Sequence, residues 1–159
     1  MGFLQCRWKI FLQKFRLSAK MQKIVIDTNV IVSSLIQRSY PYHIIFDLFI
    51  EDKITLCIST QLMTEYYSVL ERPKFSQFQD FTTKARIVLA NIDKKAVRYK
   101  PLITLDLILD KDDNKILELA DECAADFIIT GNTNDFTFPQ YKKTRIVTPR
   151  DYWENFKPM

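Results

Sequence analysis

Glycine is nearly absent: Gly2 and Gly131 are the only two among 159 residues. Neither a Walker loop nor a dinucleotide-binding loop can be assembled from them, which disfavours ATPases and Rossmann dehydrogenases. Histidine is scarcer still. With His43 alone, a multi-histidine zinc site is excluded, and a Ser-His-Asp or Cys-His arrangement would have to rest on that one residue. The three cysteines, Cys6, Cys57 and Cys123, are odd in number, distant in sequence and without CxxC spacing. They read as reduced thiols packed as small hydrophobes in a cytoplasmic protein. No long apolar run is present to span a membrane, and no repeat or low-complexity stretch appears. A composition of 47% hydrophobic and 26% charged residues is that of a folded chain rather than a disordered one. Its length suits one core. Any catalysis is therefore left to carboxylates.

The net charge of +4 is deceptive. Residues 1–20 carry Arg7, Lys9, Lys14, Arg16 and Lys20 with no acid, which leaves the remainder slightly negative. Nucleic-acid binding cannot be argued from the global balance, only from local patches. The same twenty residues place Leu4, Trp8, Phe11 and Phe15 at helical spacing ahead of a second methionine, Met21. A basic amphipathic helix, a targeting peptide and an appendage from an upstream start codon all fit. We take the appendage as the expectation, with the domain occupying 21–159.

From Met21 onward the pattern alternates. KIVID (23–27) suits a buried parallel strand, followed by the helical NVIVSSLIQ, a break at Tyr40-Pro41 and a helix over about 42–51. KITLCIS (53–59) is a second strand, and Thr60 is placed to cap the helix TQLMTEYYSVLERP, which Pro73 ends. A helix is expected over 75–92, a mixed connection over 93–111 and a helix over 112–124. Strands follow at DFIIT (126–130) and RIVT (145–148). This rhythm predicts an α/β fold with a mainly parallel sheet covered on both faces, and ligands at the carboxyl ends of its strands.

Three acids map to that edge. Asp27 ends the first strand in DTNV, where it is either a helix N-cap or a site residue. Glu65 shares a helix face with Leu62 and Val69, on the apolar side or at its border. Asp113 heads the face of Ile116, Leu117 and Ala120, with Asp112 as the competing cap residue. Were the three to converge at about 5 Å, each pair would repel by about 3 kcal/mol at an effective dielectric near 20, or ~10 kcal/mol in all. No base is set beside them in this reading. Protons or a cation must then compensate, and for an all-oxygen cluster the cation is Mg²⁺ or Mn²⁺. Such a site supports metal-assisted phosphodiester hydrolysis.

From Met21 to the C-terminus the chain resembles PIN-domain ribonucleases, in particular the toxin components of VapBC-type toxin–antitoxin pairs. The resemblance rests on IVIDTNV, on Glu65 within STQLMTEYYSVLERPKF, on DKDDNKILELADECAADFIITGN and on RIVTPRDYW. It implies a three-layer α/β/α sandwich, Mg²⁺ or Mn²⁺ as cofactor, endonucleolytic hydrolysis of RNA by a metal-activated water, and a cognate protein antitoxin. Relatives commonly form homodimers. Carried over, Asp27, Glu65 and Asp113 are the acidic, catalytic site. Asp113 is preferred to Asp112 because the family's acid stands seven residues before the helix alanine, here Ala120. Asp112, Asn132 and Asp135 are further candidates for the metal. Asn132 marks a departure, because the family often has an acid there; its amide oxygen can accept a hydrogen bond but adds no negative charge. In the subgroup resembled most, TGN followed by a short loop and a phenylalanine is usual, as in Asp135-Phe136.

Asn29 and Thr130 are candidate supports for Asp27. Arg72 and Lys74 are candidate phosphate contacts, with Lys142, Lys143 and Arg145 as a second basic group, although solvated surface is the common fate of such runs. His43 reads as a structural or surface residue. The alternative functions are a catalytically weak or inactive PIN-like module that binds RNA or protein through the same edge, and a metal-dependent phosphatase acting on small esters.

Overall fold

The computed structural model describes residues 21–159. The amphipathic reading of residues 1–20 lies outside the described residues. The first strand, β1 (Lys23–Ile26), is the apolar run KIVI, and Ile24, Val25 and Ile26 are wholly buried. A strand so deeply apolar fits only the centre of a sheet covered on both faces. It is flanked by β2 (Thr55–Ile58) and β4 (Phe127–Ile129), both parallel to it. Outside these lie β3 (Val97–Arg98), parallel to β2, and β6 (Thr144–Val147), parallel to β4. The strand β5 (Gln140–Tyr141) closes one edge antiparallel to β6. The order is β3-β2-β1-β4-β6-β5.

The helices are α1 (Thr28–Ile36), α2 (Tyr40–His43), α3 (Thr60–Leu70), α4 (Phe81–Lys95), α5 (Asn114–Cys123) and α6 (Pro149–Asp151). Helix α2 runs on as a π-helical stretch over Ile44–Phe49, and α6 as another over Tyr152–Phe156. Helix α5 packs on β1, β2 and β4, whereas α1, α3 and α4 pack on one another, with α4 also reaching β2. The result is a three-layer α/β/α sandwich with a mostly parallel sheet, as the alternating pattern implies.

Several boundaries differ from the sequence reading, each for a local reason. The helix expected over 75–92 starts at Phe81, because Pro73–Gln77 forms a separate 3₁₀ turn with proline at its start. Ser59, not Thr60, caps α3, its Oγ accepting from the Leu62 N–H at 3.1 Å. The helix expected from 112 opens at Asn114, preceded by a 3₁₀ turn over Lys111–Asp113. Strands β3 and β5, two residues each, are too short for any period to reveal. Cys57 and Cys123, distant in sequence, are buried free thiols that face each other across the β2–α5 packing; the Cys123 thiol, with burial, pushes the Cys57 thiol up.

Glycine scarcity shows in the backbone. Asp52, Asp80, Ala124 and Lys142 all take positive φ, a region that favours glycine. Ala124 ends α5 with φ 50° and ψ 52°, and the Ala125 N–H bonds back to the Ala120 carbonyl at 3.0 Å, a left-handed helix terminus. The Cβ penalty there exceeds the entropy that alanine removes from the unfolded chain. Ala124→Gly is accordingly expected to stabilise the domain by about 0.5–1 kcal/mol, raising Tm by ~2 °C. An unchanged or lower Tm in thermal denaturation would contradict this.

Candidate metal centre

The site is assembled where β1 and β4 end. Asp27 follows β1 and stands at the N-cap position of α1, yet its side chain makes no capping bond. Instead its Oδ2 accepts a 2.7 Å hydrogen bond from the Thr130 hydroxyl at the end of β4. Of the two roles open to Asp27, the side-chain cap of α1 is not taken. Asp27 is only 6% exposed, and burial raises its pKa, as does Glu65; the Thr130 hydroxyl and the nearby N–H groups of Thr28 and Asn29 act in the opposite direction. Thr130 in turn accepts from the Asn132 N–H at 3.0 Å. Asn29 contributes differently from expectation: its Oδ1 accepts a long, 3.5 Å bond from the Gly131 N–H, tying the two strand ends together.

Glu65 reaches the site from α3. The buried Tyr66 beside it donates its hydroxyl to the Ile26 carbonyl, which fixes this turn of α3 against the end of β1. Burial, followed by the charges of Asp27 and Glu65, keeps that phenol protonated and therefore a donor. Thr28 donates to Glu65 Oε1, and Lys115 of α5 forms an ion pair with Glu65 Oε2. The expectation that no base offsets the acids is thereby corrected. Lys115 lies two residues beyond Asp113 in sequence, but only the packing of α3 beside α5 reveals its partner. A lysine in a helix's first turn opposes the macrodipole, so its favourable contact is the carboxylate, not the helix.

Asp113 occupies the N-cap position of α5 and, like Asp27, makes no capping bond. Among the described residues, Asp110, Asp113 and Asp135 each offer a carboxylate oxygen, and these lie within 4.8 Å of one another. Asp27 and Glu65 stand outside this trio, although the charge of Asp27 acts on Asp113 and that of Glu65 on Asp27. Burial first, then the charges of Asp27, Asp110 and Asp135, lift the Asp113 carboxyl to about 7. Asn132 spans the trio, its Nδ2 donating to Asp135 and, at 3.4 Å, to Asp113 Oδ2. Asp112 is exposed, and its N–H donates to Asp110 Oδ1 at 3.0 Å.

Asp110 is the acid that sequence reasoning passed over. Its position follows from Asn114, which is buried and accepts from the Leu107 and Ile108 N–H groups at 2.9 and 3.0 Å, folding the 105–110 segment back onto the head of α5. The sequence signal was no more than three aspartates, Asp110, Asp112 and Asp113, beside an asparagine. The basic candidates do not pair with these acids among the described residues. Arg72 and Lys74 are exposed at the end of α3, Lys142 pairs with Asp121 at 2.5 Å, and Arg145 covers the Phe156 ring at 5.1 Å. His43 bonds Asp47 at 2.6 Å and rests beside Trp153.

A parallel sheet with clustered acids at its carboxyl edge defines a nuclease-like α/β domain able to hold a hard cation. Residues 23–134 match the PIN domain family, and the chain belongs to it. The chain is also similar to the uncharacterized protein MJ1680 of Methanocaldococcus jannaschii, with 28% identity over 143 residues that span 85% of this chain and 92% of that protein. The carboxylate donors of Asp110, Asp113 and Asp135 fit a hard divalent cation, whose charge would relieve the crowding.

Two expectations follow. Asp113 gives up its proton near pH 4 when unfolded but near 7 when folded, so folding loses stability as pH rises through this window, and the loss levels off above it. In EDTA, the Tm of Asp113→Asn should therefore gain on that of the wild type between about pH 4.5 and 7.5; a constant difference would contradict the account. Lys115→Met should lower stability by about 1–3 kcal/mol, because Glu65 loses its counter-charge. Added Mn²⁺ should raise the variant's Tm by more than the wild type's, and equal shifts would show that Lys115 does not compensate the acids.

Proposed function

We propose that this PIN domain is a metal-dependent endoribonuclease, the toxin of a toxin–antitoxin pair. The observation that carries this reading is the trio Asp110, Asp113 and Asp135, whose carboxylate oxygens lie within 4.8 Å of one another and which is linked through Asn132 and Thr130 to Asp27 at the end of β1. Asp110, Asp113 and Asp135 would hold Mg²⁺ or Mn²⁺ together with Asp27, and Glu65 would join them on release from Lys115. A divalent ion so held lowers the pKa of water and offsets charge on a phosphoryl oxygen. The protein's own part is positioning. Thr130 orients Asp27, Thr28 orients Glu65, and Asn132 links Asp113 with Asp135, so that, once Glu65 leaves Lys115, little else need move for the acids to meet a phosphodiester.

An RNA substrate, a protein antitoxin that covers this edge and a homodimeric state belong to the same proposal, as does action in the cytoplasm. None of the described helices is long and apolar enough to cross a membrane. One observation favours the catalytically weak binding module as a second reading: Lys115 and Asn132 already occupy oxygens of Glu65, Asp113 and Asp135, which competes with metal.

Cleavage of a mixed RNA substrate separates the two. The purified protein should cut with Mn²⁺ or Mg²⁺ and not with EDTA, and Asp27→Asn and Asp113→Asn should each lower the rate ~10²-fold or more, given several kcal/mol of metal-derived stabilisation. Persistent cutting in both variants would place the chemistry elsewhere. Absence of cutting by folded wild type would favour the binding module.

A further inference from the structure

The cleft that holds Asp27 and Glu65 has a second wall with a different chemistry. Its volume is ≈ 370 Å³, and beyond Thr28, Asn29 and Ser33 it is lined by Val32, Val69 and Phe75. That volume lies at the small end of the roughly 300–1,000 Å³ range of ligand clefts, space for a single nucleotide unit rather than a duplex. Phe75 comes from the 3₁₀ turn Pro73–Gln77, whose path is held by successive backbone bonds from Phe75 N–H to Arg72, Phe78 N–H to Phe75 and Phe81 N–H to Phe78, at 3.1, 3.1 and 3.2 Å. One face of the ring stacks on Phe81, with centroids 5.0 Å apart and planes at 19°. Phe81 is buried at the head of α4, so the core sets the orientation of Phe75. The half-buried ring lines the cleft, and the face not stacked on Phe81 carries Lys74, whose ammonium a base would displace toward the phosphates.

The same turn is basic. Lys74 Nζ stands 5.0 Å from the Phe75 centroid, Arg72 precedes it, and both side chains are exposed. Among the described residues, neither forms an ion pair with an acid. An aromatic ring held in place by the core, with an exposed arginine and lysine on the same turn, matches the pattern by which proteins hold single-stranded nucleic acid, bases on the ring and phosphates on the cations. An apolar protein side chain could fill the cleft, but it would leave Arg72 and Lys74 without a role. A nucleotide answers both halves of the wall.

We propose that Phe75 is a stacking platform for one base of a single-stranded RNA substrate, the nucleotide beside the phosphodiester presented to the acids, with Arg72 and Lys74 on its flanking phosphates. The proposal rests on the ribonuclease reading and adds a base subsite to it. Stacking reads the π-face common to all bases, so this subsite requires an unpaired base without selecting its identity.

The test is fluorescence anisotropy with the full chain and a labelled single-stranded RNA in Ca²⁺ buffer, using oligonucleotides with one abasic position moved along the strand. In the wild type, one position should cost about tenfold or more in affinity, the size of one base–aromatic stack, and the others little. Phe75→Leu, which keeps apolar bulk, should show the same loss with the intact strand and no further loss at that abasic position; Phe75→Tyr should restore binding. Equal costs at all positions in the wild type would overturn the platform, and that measurement needs no variant. Losses from Phe75→Leu and the abasic site that multiply would also overturn it, as would RNA binding indifferent to Phe75→Leu, the result expected if the wall serves a protein segment. In these cases the ribonuclease reading stands. Failure of the wild type to bind any single-stranded RNA would overturn both.

Discussion

The Ile26 carbonyl, where β1 ends, is the point on which the site's geometry depends. Tyr66 donates its hydroxyl to it from within the core, and that bond fixes the register of α3 against the sheet. Two of the acids are then one residue away from the joint: Asp27 follows Ile26, and Glu65 precedes Tyr66. The strand end and the helix turn need no loop to bring their carboxylates together. Nor can the phenol ionise and let go, because burial and the two acids both keep its proton in place. The charges that the site gathers thus reinforce the bond that gathers them.

Holding acids near one another without an ion requires donors, and the protein supplies them. Hydroxyls serve Asp27 and Glu65, an ammonium serves Glu65, and one amide serves Asp113 and Asp135. These contacts are graded in strength, a neutral amide or hydroxyl lowering the repulsion less than a formal cation does. Burial and the charges of Asp27, Asp110 and Asp135 favour Asp113 in its protonated form, and it pairs with no cation among the described residues.

How much of this was legible in the sequence follows from distance along the chain. The strand KIVI, the acid directly after it and the helical faces of Glu65 and Asp113 are local patterns, and their periods are strong enough to read. The layered α/β fold follows from the same alternation. Lys115 and Asp110 are close to Asp113 in sequence, but their roles depend on a helix packing and on the buried Asn114 folding a loop back, which no period encodes. The pairing of Cys57 with Cys123 is illegible for the same reason. Caps fall in between: Ser59 and Thr60 are both good N-cap residues, and only the backbone decides between them.

The sheet also ends unusually abruptly. Both outermost strands, β3 and β5, contain two residues, and β5 reverses direction against the parallel set. An edge strand of ordinary length is a row of unsatisfied donors and acceptors that invites another chain to add itself. Two residues make too short a template for that. The apolar strands at the centre, which would be hazardous if exposed, are thereby screened from strand-by-strand growth into aggregates, and a chain nearly without glycine achieves this through shortness instead of bulges or kinks.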